Sequence, residues 1–228
     1  MVAYRFEDSR GGECVERHLA GFTGILQVDG YAAYNRLARS AGGNKGVTLA
    51  ACFAHVRRRF YELHVNESSR LATQTVTTMA GLWEIEADIR GQDPEMRVKA
   101  RQEKSAAIVA ALFDVWDKEL PRLSGKSKLA DATSRRTALE RFLSDGRIEI
   151  DSNTVERAIR PQTITRKNAL FAGSHGGGRT WATIATLLQT SKMNDVDPHA
   201  WLTRTLKRIA QGWPISQIDA LMPWHFKA

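Results

Sequence analysis

Cysteine is scarce in this chain of 228 residues, where Cys14 and Cys52 are the only two. Two cysteines are too few for a disulfide framework, so the sequence predicts free thiols and a reducing compartment such as the cytoplasm. Long apolar runs are missing too, since none approaches the roughly 18 residues that a membrane-spanning helix needs. The first residues do not resemble a signal peptide. Together these absences predict a globular protein that stays inside the cell.

Negative charge is also in short supply. Lys and Arg number 33 against 25 Asp and Glu, which gives a net charge of +8 at pH 7. The hydrophobic fraction of 43% and the charged fraction of 25% are ordinary for a chain that buries one large core or two small ones. An excess of positive charge favours a polyanionic partner, and nucleic acid is the commonest. A basic protein without such a partner is the alternative.

Short apolar runs alternate with helical patterns at the start of the chain. The runs cover residues 2–6, 24–28 and 47–53, and helical patterns cover about 13–20 and 31–41. This β-α-β-α-β order predicts an α/β fold with a mixed sheet.

Helical spacing replaces the strand signal from about residue 55 to 147, as in Val76, Met79 and Trp83. Breaks near 91–94 and 121–125 divide this all-helical insertion. After it the sequence predicts short extended pieces at 148–150 and 169–172, a glycine turn at 173–178, and helices near 152–160, 179–193 and 198–211. The predicted organisation is a sheet part at 1–65, a large helical insertion at 66–147, a closing helix, strand and glycine turn at 148–193, and a C-terminal helical element at 194–228.

Asp29 stands where the apolar run 24–28 ends, just before Gly30. Strand ends are where α/β sheets tend to present catalytic carboxylates, because a rigid element delivers the side chain to a crevice. A helix cap or an Asp-Gly turn is the local alternative.

Glu156 lies in a predicted helix together with Arg157 and Arg160, ahead of Pro161, which should stop or kink that helix. A carboxylate flanked by guanidinium groups suits a metal ion beside a phosphodiester. The alternative is local stability, because Asn153 followed by Glu156 resembles a capping box.

Cys52 and His55 are spaced as a pair of zinc ligands, but no second pair with suitable spacing follows. Packing or support of an active site is the preferred interpretation. The adjoining Arg57, Arg58 and Arg59 are candidate contacts to a DNA backbone, with a solvated helix face as the alternative.

Residues 173–180 match a nucleotide-binding phosphate loop, except that Arg179 replaces the lysine. A nucleotide-binding domain needs further parallel strands after this loop, whereas the sequence predicts only helices. A turn, with or without its amides facing a DNA phosphate, is therefore preferred.

Four segments in this order resemble the transposase of the insertion sequence 66 family, which is of the DDE type. They are LQVDGYAAYN at 26–35, CFAHVRRRF at 52–60, EIDSNTVERAIRP at 149–161 and RKNALFAGS at 166–174. The likeness continues through 197–202 to 221–224, so it covers nearly the whole chain. Ser152 departs from the family, whose members often have a second asparagine there.

The resemblance implies an RNase H-like fold, here partial, whose second and third catalytic acids match Asp29 and Glu156. Together they would bind two Mg²⁺ or Mn²⁺ ions for DNA cleavage and strand transfer, because carboxylates suit such hard ions. Transposon ends and target DNA are then the expected partners, with a full-length transposase or accessory proteins of the element as further ones. The residues expected to contact DNA are Arg57, Arg58, Arg59, Arg157, Arg160, Arg166 and Lys167, and those expected to support the site are Cys52, His55 and Asn153.

The first catalytic acid of the family has no match in this chain. The run 2–6 corresponds by its order to an edge strand of the sheet, so Asp8, which follows it, is predicted to be a turn residue. We therefore expect the chain alone to be inactive. A non-catalytic module that binds DNA or a transposase is the main alternative function, and a phosphate-loop nucleotidase is the third.

Overall fold

A computed structural model describes residues 2–9, 11–30, 32–35, 37, 46–66, 69–119, 121, 130, 134–169 and 173–226. These residues are mostly helical and contain one small parallel sheet. The chain divides into two compact units, one formed by residues 1–10 with 154–228 and the other by residues 11–153. No helix within the described ranges is long and apolar enough to cross a membrane.

The sheet belongs to the unit of residues 11–153 and has two parallel strands, β1 (Gly24–Val28) and β2 (Val47–Ala51). Their register pairs residue 24 with 47 and residue 28 with 51. Helix α1 (Gly12–His18) precedes β1, and a 3₁₀ turn (Ala32–Tyr34) follows it. Two predicted strands are thus confirmed, while most of the helix predicted at 31–41 falls on positions outside the described ranges.

Residues 2–6 do not form a strand, so the mixed sheet predicted from them is wrong for the described chain. Its hydrogen bonds go instead to helices of its own unit. The Tyr4 backbone N–H donates to Thr186 Oγ1 at 2.9 Å, and the Tyr4 hydroxyl donates to the Ala158 carbonyl. Alternating apolar residues fit any extended segment with one buried face, and here helices cover that face.

The predicted helical block is confirmed wherever it is described. It contains α2 (Phe53–Val65), α3 (Arg70–Asp88), α4 (Pro94–Ala100), a π-helical turn (Arg101–Ser105), α5 (Ala106–Glu119), α6 (Arg136–Glu140) and a 3₁₀ turn (Arg141–Leu143). Side-chain caps explain two of the boundaries. Ser69 accepts from the Ala72 N–H at 3.3 Å, and Asp93 accepts from the Met96 N–H at 2.9 Å.

The apolar stripes of α2, α3 and α5 form the core of this unit with β2 and residues 139–150. Phe60 stacks on Trp116 with ring centroids 5.5 Å apart and an interplanar angle of 9°. The Trp116 indole N–H donates to Thr75 Oγ1 at 3.0 Å, which satisfies the one polar group of that side chain in the core. The helical insertion therefore packs directly behind the sheet.

The other unit contains α8 (His175–Met193), α9 (Pro198–Ala210) and 3₁₀ turns at Ile215–Leu221 and Pro223–His225, and α7 (Asn153–Asn168) leads into it. The sequence predicted that Pro161 stops or kinks α7; it does not stop the helix, which continues to Asn168. A proline has a helical φ, but it removes its own N–H bond and its ring crowds the carbonyl four residues earlier. Its position is exposed. In the C-terminal part, the buried Trp201 indole donates to the Leu221 carbonyl at 2.8 Å.

Candidate functional site

Asp29 lies directly after β1, at the carboxyl end of the parallel sheet, and its side chain is exposed. Gly30 follows with a φ of +89°, a conformation that favours glycine. A Cβ at position 30 would also overlap the guanidinium group of Arg135, which the helical insertion supplies. The backbone conformation therefore explains Gly30, and the guanidinium group of Arg135 lies beside the strand end that carries Asp29.

Residues 149–152 are fastened to the carboxyl ends of both strands. The Gln27 side-chain amide donates to the Glu149 carbonyl at 2.7 Å, and the Phe53 N–H donates to the Ile150 carbonyl at 3.0 Å. The Ser152 hydroxyl donates to the sulfur of Cys52 at 3.3 Å. The segment that leads into α7 thus runs across the sheet edge where Asp29 lies.

An ion pair holds the same segment from the side of the insertion. Arg97 donates two hydrogen bonds to the carboxylate of Glu149, at 2.8 and 2.7 Å, and also contacts Glu86 at 3.4 Å. Burial by itself would lower the pKa of Arg97, but its hydrogen bonds and attraction to these two carboxylates raise it. The bidentate geometry ties the first turn of α4 to residue 149.

Asp151 organises the beginning of α7. Its carboxylate accepts from the Asn153 N–H at 2.9 Å and from the Asn153 side-chain amide at 2.6 Å. The side chain of Asn153 is therefore engaged with Asp151, a partner that the sequence prediction did not name. Glu156 lies in the first turn of α7 and is half-buried.

The predicted basic residues lie on two helices. Arg57, Arg58 and Arg59 are on α2, where Arg58 is exposed and the other two are partly buried. The remaining four are exposed on α7, namely Arg157, Arg160, Arg166 and Lys167. Both helices therefore present cations to solvent, and their role in binding DNA stays a prediction.

Cys52 is buried at the N-terminal end of α2, and His55 lies partly buried in the first turn. Across the described residues, no three His, Cys, Asp or Glu side chains are grouped closely enough to hold a metal ion. Cys52 instead contacts the hydroxyl of Ser152. This contact fits the predicted supporting role, which no other observation tests.

The glycine-rich residues 174–178 do not form the predicted turn. Helix α8 begins at His175, so Gly176 to Gly178 are helical, and the Ser174 hydroxyl caps them by accepting from the Gly177 N–H at 3.0 Å. Gly173 alone has the turn conformation, with a φ of +75°. The strand predicted at 169–172 has only residue 169 inside the described range. The Ser174 cap, worth about 1 kcal/mol, offsets part of the low helix propensity of the three glycines.

Sequence reasoning missed Gln27, Arg135, Arg97 and Asp151. Only Gln27 carried a signal, because it is the one polar side chain in the run GILQV and lies two positions before Asp29. Arg97 and Arg135 act on residues that are distant in sequence. Asp151 bonds to Asn153, and in the sequence this pair looks like an ordinary polar turn.

Comparison with known proteins gives two family matches that follow one another along the chain. Residues 1–180 match the Transposase IS66 family, and residues 186–224 match the IS66 C-terminal element. Among curated proteins, the uncharacterized protein y4qI of Sinorhizobium fredii is 65% identical over the whole of this chain, and y4jD of the same organism is 42% identical. No solved structure matches significantly.

The chain spans less than half the length of these relatives, 43% of y4qI and 46% of y4jD. The Transposase IS66 family match nevertheless covers most of the present chain, and the C-terminal element follows it in order. The protein therefore belongs to the IS66 family of transposases.

Proposed function

We propose that this chain is the C-terminal catalytic portion of a DDE transposase, with Asp29 and Glu156 as ligands of the catalytic metal ions. The observation that supports this most directly is the fastening of residues 149–152 to the sheet edge that bears Asp29, through Gln27 and Phe53. That segment leads straight into the helix that carries Glu156. Under this proposal the sheet is part of an RNase H-like fold.

The donor atoms fit the ions that such chemistry uses. Carboxylate oxygens suit Mg²⁺ and Mn²⁺, which keep several waters and need only a few protein ligands. Two such ions, when bound, stabilise the attacking and leaving oxygens of an in-line displacement at phosphorus. Asp29 and Glu156 would hold them, while Asn153, Cys52 and His55 support the surrounding backbone. The basic residues of α2 and α7 would hold the phosphates of the transposon ends and the target.

The proposed site is incomplete within this chain. Asp29 and Glu156 match the second and third acids of the family, and no residue of this sequence matches the first. The proposed setting is the bacterial cytoplasm, where DNA is accessible.

Metal binding tests the assignment without requiring turnover. Mn²⁺ titrated into the full chain and followed by electron paramagnetic resonance should bind more weakly to Asp29→Asn and to Glu156→Gln than to the wild type. We expect a loss on the order of tenfold or more, since each variant removes a charge-assisted contact worth about 1.5–3 kcal/mol. Asp114→Asn, an exposed acid of α5, is the matched control and should bind as the wild type does.

The assignment is wrong if both variants bind Mn²⁺ with wild-type affinity. A second candidate function, a non-catalytic module that binds DNA or a transposase, is favoured by the exposed cations of α2 and α7, which need no metal ion to bind phosphate. That alternative predicts DNA binding that does not depend on divalent ions or on the two acids.

A further inference from the structure

A pocket of about 470 Å³ lies between α2 and α3, and neither proposed metal ligand lines it. Its side chains are of two kinds. Arg57, Arg58, Tyr61 and Trp83 supply cations and aromatic rings, and Asn153 lies at its margin. Two alanines on the facing helices complete the lining, and their small side chains leave the space open. The volume lies in the range of roughly 300–1,000 Å³ that is typical of small-ligand sites.

Arg57 lies near both aromatic rings of this pocket. Its guanidinium carbon lies 5.3 Å from the centroid of Tyr61 and 5.7 Å from that of Trp83, within the range of cation–π attraction. Stacking engages the face of a guanidinium, while its N–H donors point outward in the plane. The in-plane N–H groups of Arg57 are therefore the ones that donate to an anion in this pocket.

The aromatic rings are accessible to a ligand. Tyr61 is 46% exposed, although it lies on the helix that packs most closely against α3, and Trp83 is partly buried. A folded core would bury such rings, whereas a stacking platform needs one free face. Arg58 is exposed at the same pocket and adds positive charge.

Flat aromatic faces beside an oriented guanidinium match one class of ligand, a planar ring joined to a phosphate. In duplex DNA the bases are stacked on each other and cannot enter a pocket, so only an unpaired base fits. We propose that this pocket binds one unpaired DNA base by stacking on Tyr61 and Trp83, with its phosphate on Arg57 and Arg58. This inference rests on the proposed function, because it takes DNA as the ligand.

In this pocket the arginines of α2 would bind the phosphate of an unpaired base rather than the backbone of a duplex. A contact with the duplex backbone requires exposed cations and is indifferent to base pairing. The present arrangement favours DNA in which a base has left the helix, such as a strand end or a distorted junction. Asn153, the first residue of α7, also connects the pocket to the segment held at the sheet edge.

The test compares three DNA duplexes with the full chain by fluorescence anisotropy. One is fully paired, one carries a single extrahelical 2-aminopurine, and one carries an abasic site in its place. Because base stacking contributes about 1–3 kcal/mol, the extrahelical base should bind on the order of tenfold more tightly than the abasic duplex. Its 2-aminopurine fluorescence should also be quenched on binding. The abasic duplex controls for the flexibility that any bulge introduces.

Variants then locate the base. Tyr61→Ala and Trp83→Leu should each remove most of the preference for the extrahelical base, with binding to paired DNA largely retained. Trp224→Leu is the matched control, because Trp224 is 51% exposed and lies outside this pocket. Circular dichroism and a melting temperature near that of the wild type establish that each variant is folded.

The outcomes separate this inference from the proposed function. Salt-dependent binding of paired DNA without any gain from the extrahelical base overturns the pocket and leaves the proposed function standing. A preference that survives both Tyr61→Ala and Trp83→Leu places the base elsewhere and also overturns it. Failure to bind any of the three duplexes at low salt contradicts the proposed function, and the inference that rests on it fails as well.

Discussion

Arg101 brings a full positive charge into the core of residues 11–153. Its side chain is completely buried and forms two hydrogen bonds with the carboxylate of Glu86, both at 2.7 Å. A third bond, at 2.9 Å, goes to the Phe142 carbonyl. The pair therefore ties the π-helical turn to α3 and to the 3₁₀ turn that precedes residues 149–152. Removing Arg101 would leave the buried carboxylate of Glu86 with only the longer contact to Arg97, at 3.4 Å.

We expect Arg101→Ala to lower the free energy of unfolding by about 3–5 kcal/mol, measured by urea denaturation. Arg136→Ala is the matched control, because Arg136 also pairs with a glutamate, at 2.8 Å, and lies over a phenylalanine ring. That pair is exposed, so its loss should cost no more than about 1 kcal/mol. Equal losses in the two variants would show that burial does not set the energy of the Arg101 pair.

Single-residue roles of this kind were hidden in the sequence. Glu86 and Arg101 fall in a helical pattern, where charged residues usually indicate a solvated face. Nothing in their spacing shows that both turn inward. The position of Asp29 was predictable, by contrast, because it directly follows the apolar run of β1. The run predicted at 47–53 included Cys52, whereas the strand ends at Ala51.

Helix α8 shows at the level of an element how tertiary packing overrides propensity. Gly178 is helical and buried, and a Cβ there would lie 2.5 Å from the ring of Phe6. Gly176 is two residues earlier, and the nearest atom to a Cβ at that position is the Ser174 hydroxyl, 3.7 Å away. The close approach of Phe6 explains why glycine is needed at position 178, within a segment that resembles a phosphate loop.

The two glycines should respond to alanine in opposite directions. Gly176→Ala should raise stability by up to about 1 kcal/mol, because alanine has the higher helix propensity. Gly178→Ala should lower it by about 1–3 kcal/mol, because the added methyl group overpacks against Phe6. Thermal or urea unfolding of both variants measures the difference. Adding Phe6→Ala should remove the overpacking that Gly178→Ala introduces, and a stabilising Gly178→Ala would contradict the packing described here.

The spacing of apolar residues predicted an element correctly where it fits only one kind of secondary structure. The spacing in α3 and α5 fits only a helix with one buried stripe, and both helices are present. Residues 2–6 had the period of a strand, but an extended segment packed on helices has the same period. The sequence could not distinguish the two, because the difference lies in what covers the segment.

At the scale of the whole molecule, the family and the helical block that follows the strands were predictable from ordered motifs and spacing, whereas the predicted sheet was mixed and the observed one is parallel. The division into residues 11–153 and the rest was not predictable. Its boundary falls at the first residues of α7, inside a continuous helix with no linker composition. Long-range bonds such as Gln27 to Glu149 define these units, and no local pattern encodes them.

The last prediction concerns the activity of the whole chain. Glu7 and Asp8 both follow the predicted edge strand, and the aspartate that could be proposed for the missing first ligand is Asp8. Its side chain is 66% exposed and lies 3.9 Å from the His175 imidazole at the start of α8. Asp8 does not follow a strand, since residues 2–9 contain none. We therefore expect residues 1–228 to carry out neither cleavage nor strand transfer on transposon-end DNA with Mg²⁺ or Mn²⁺.

Association with a partner should accompany this inactivity. Within the described residues β1 pairs with β2 alone, and an unpaired apolar strand edge promotes self-association. Light scattering on the purified chain should therefore show oligomers or limited solubility.

The activity assay uses intact and pre-nicked DNA, so that a failure in the first cut does not hide strand transfer. Turnover by the wild-type chain that disappears in Asp29→Ala would show that the first acid is present here after all, because the proposed carboxylate would then act within a complete site.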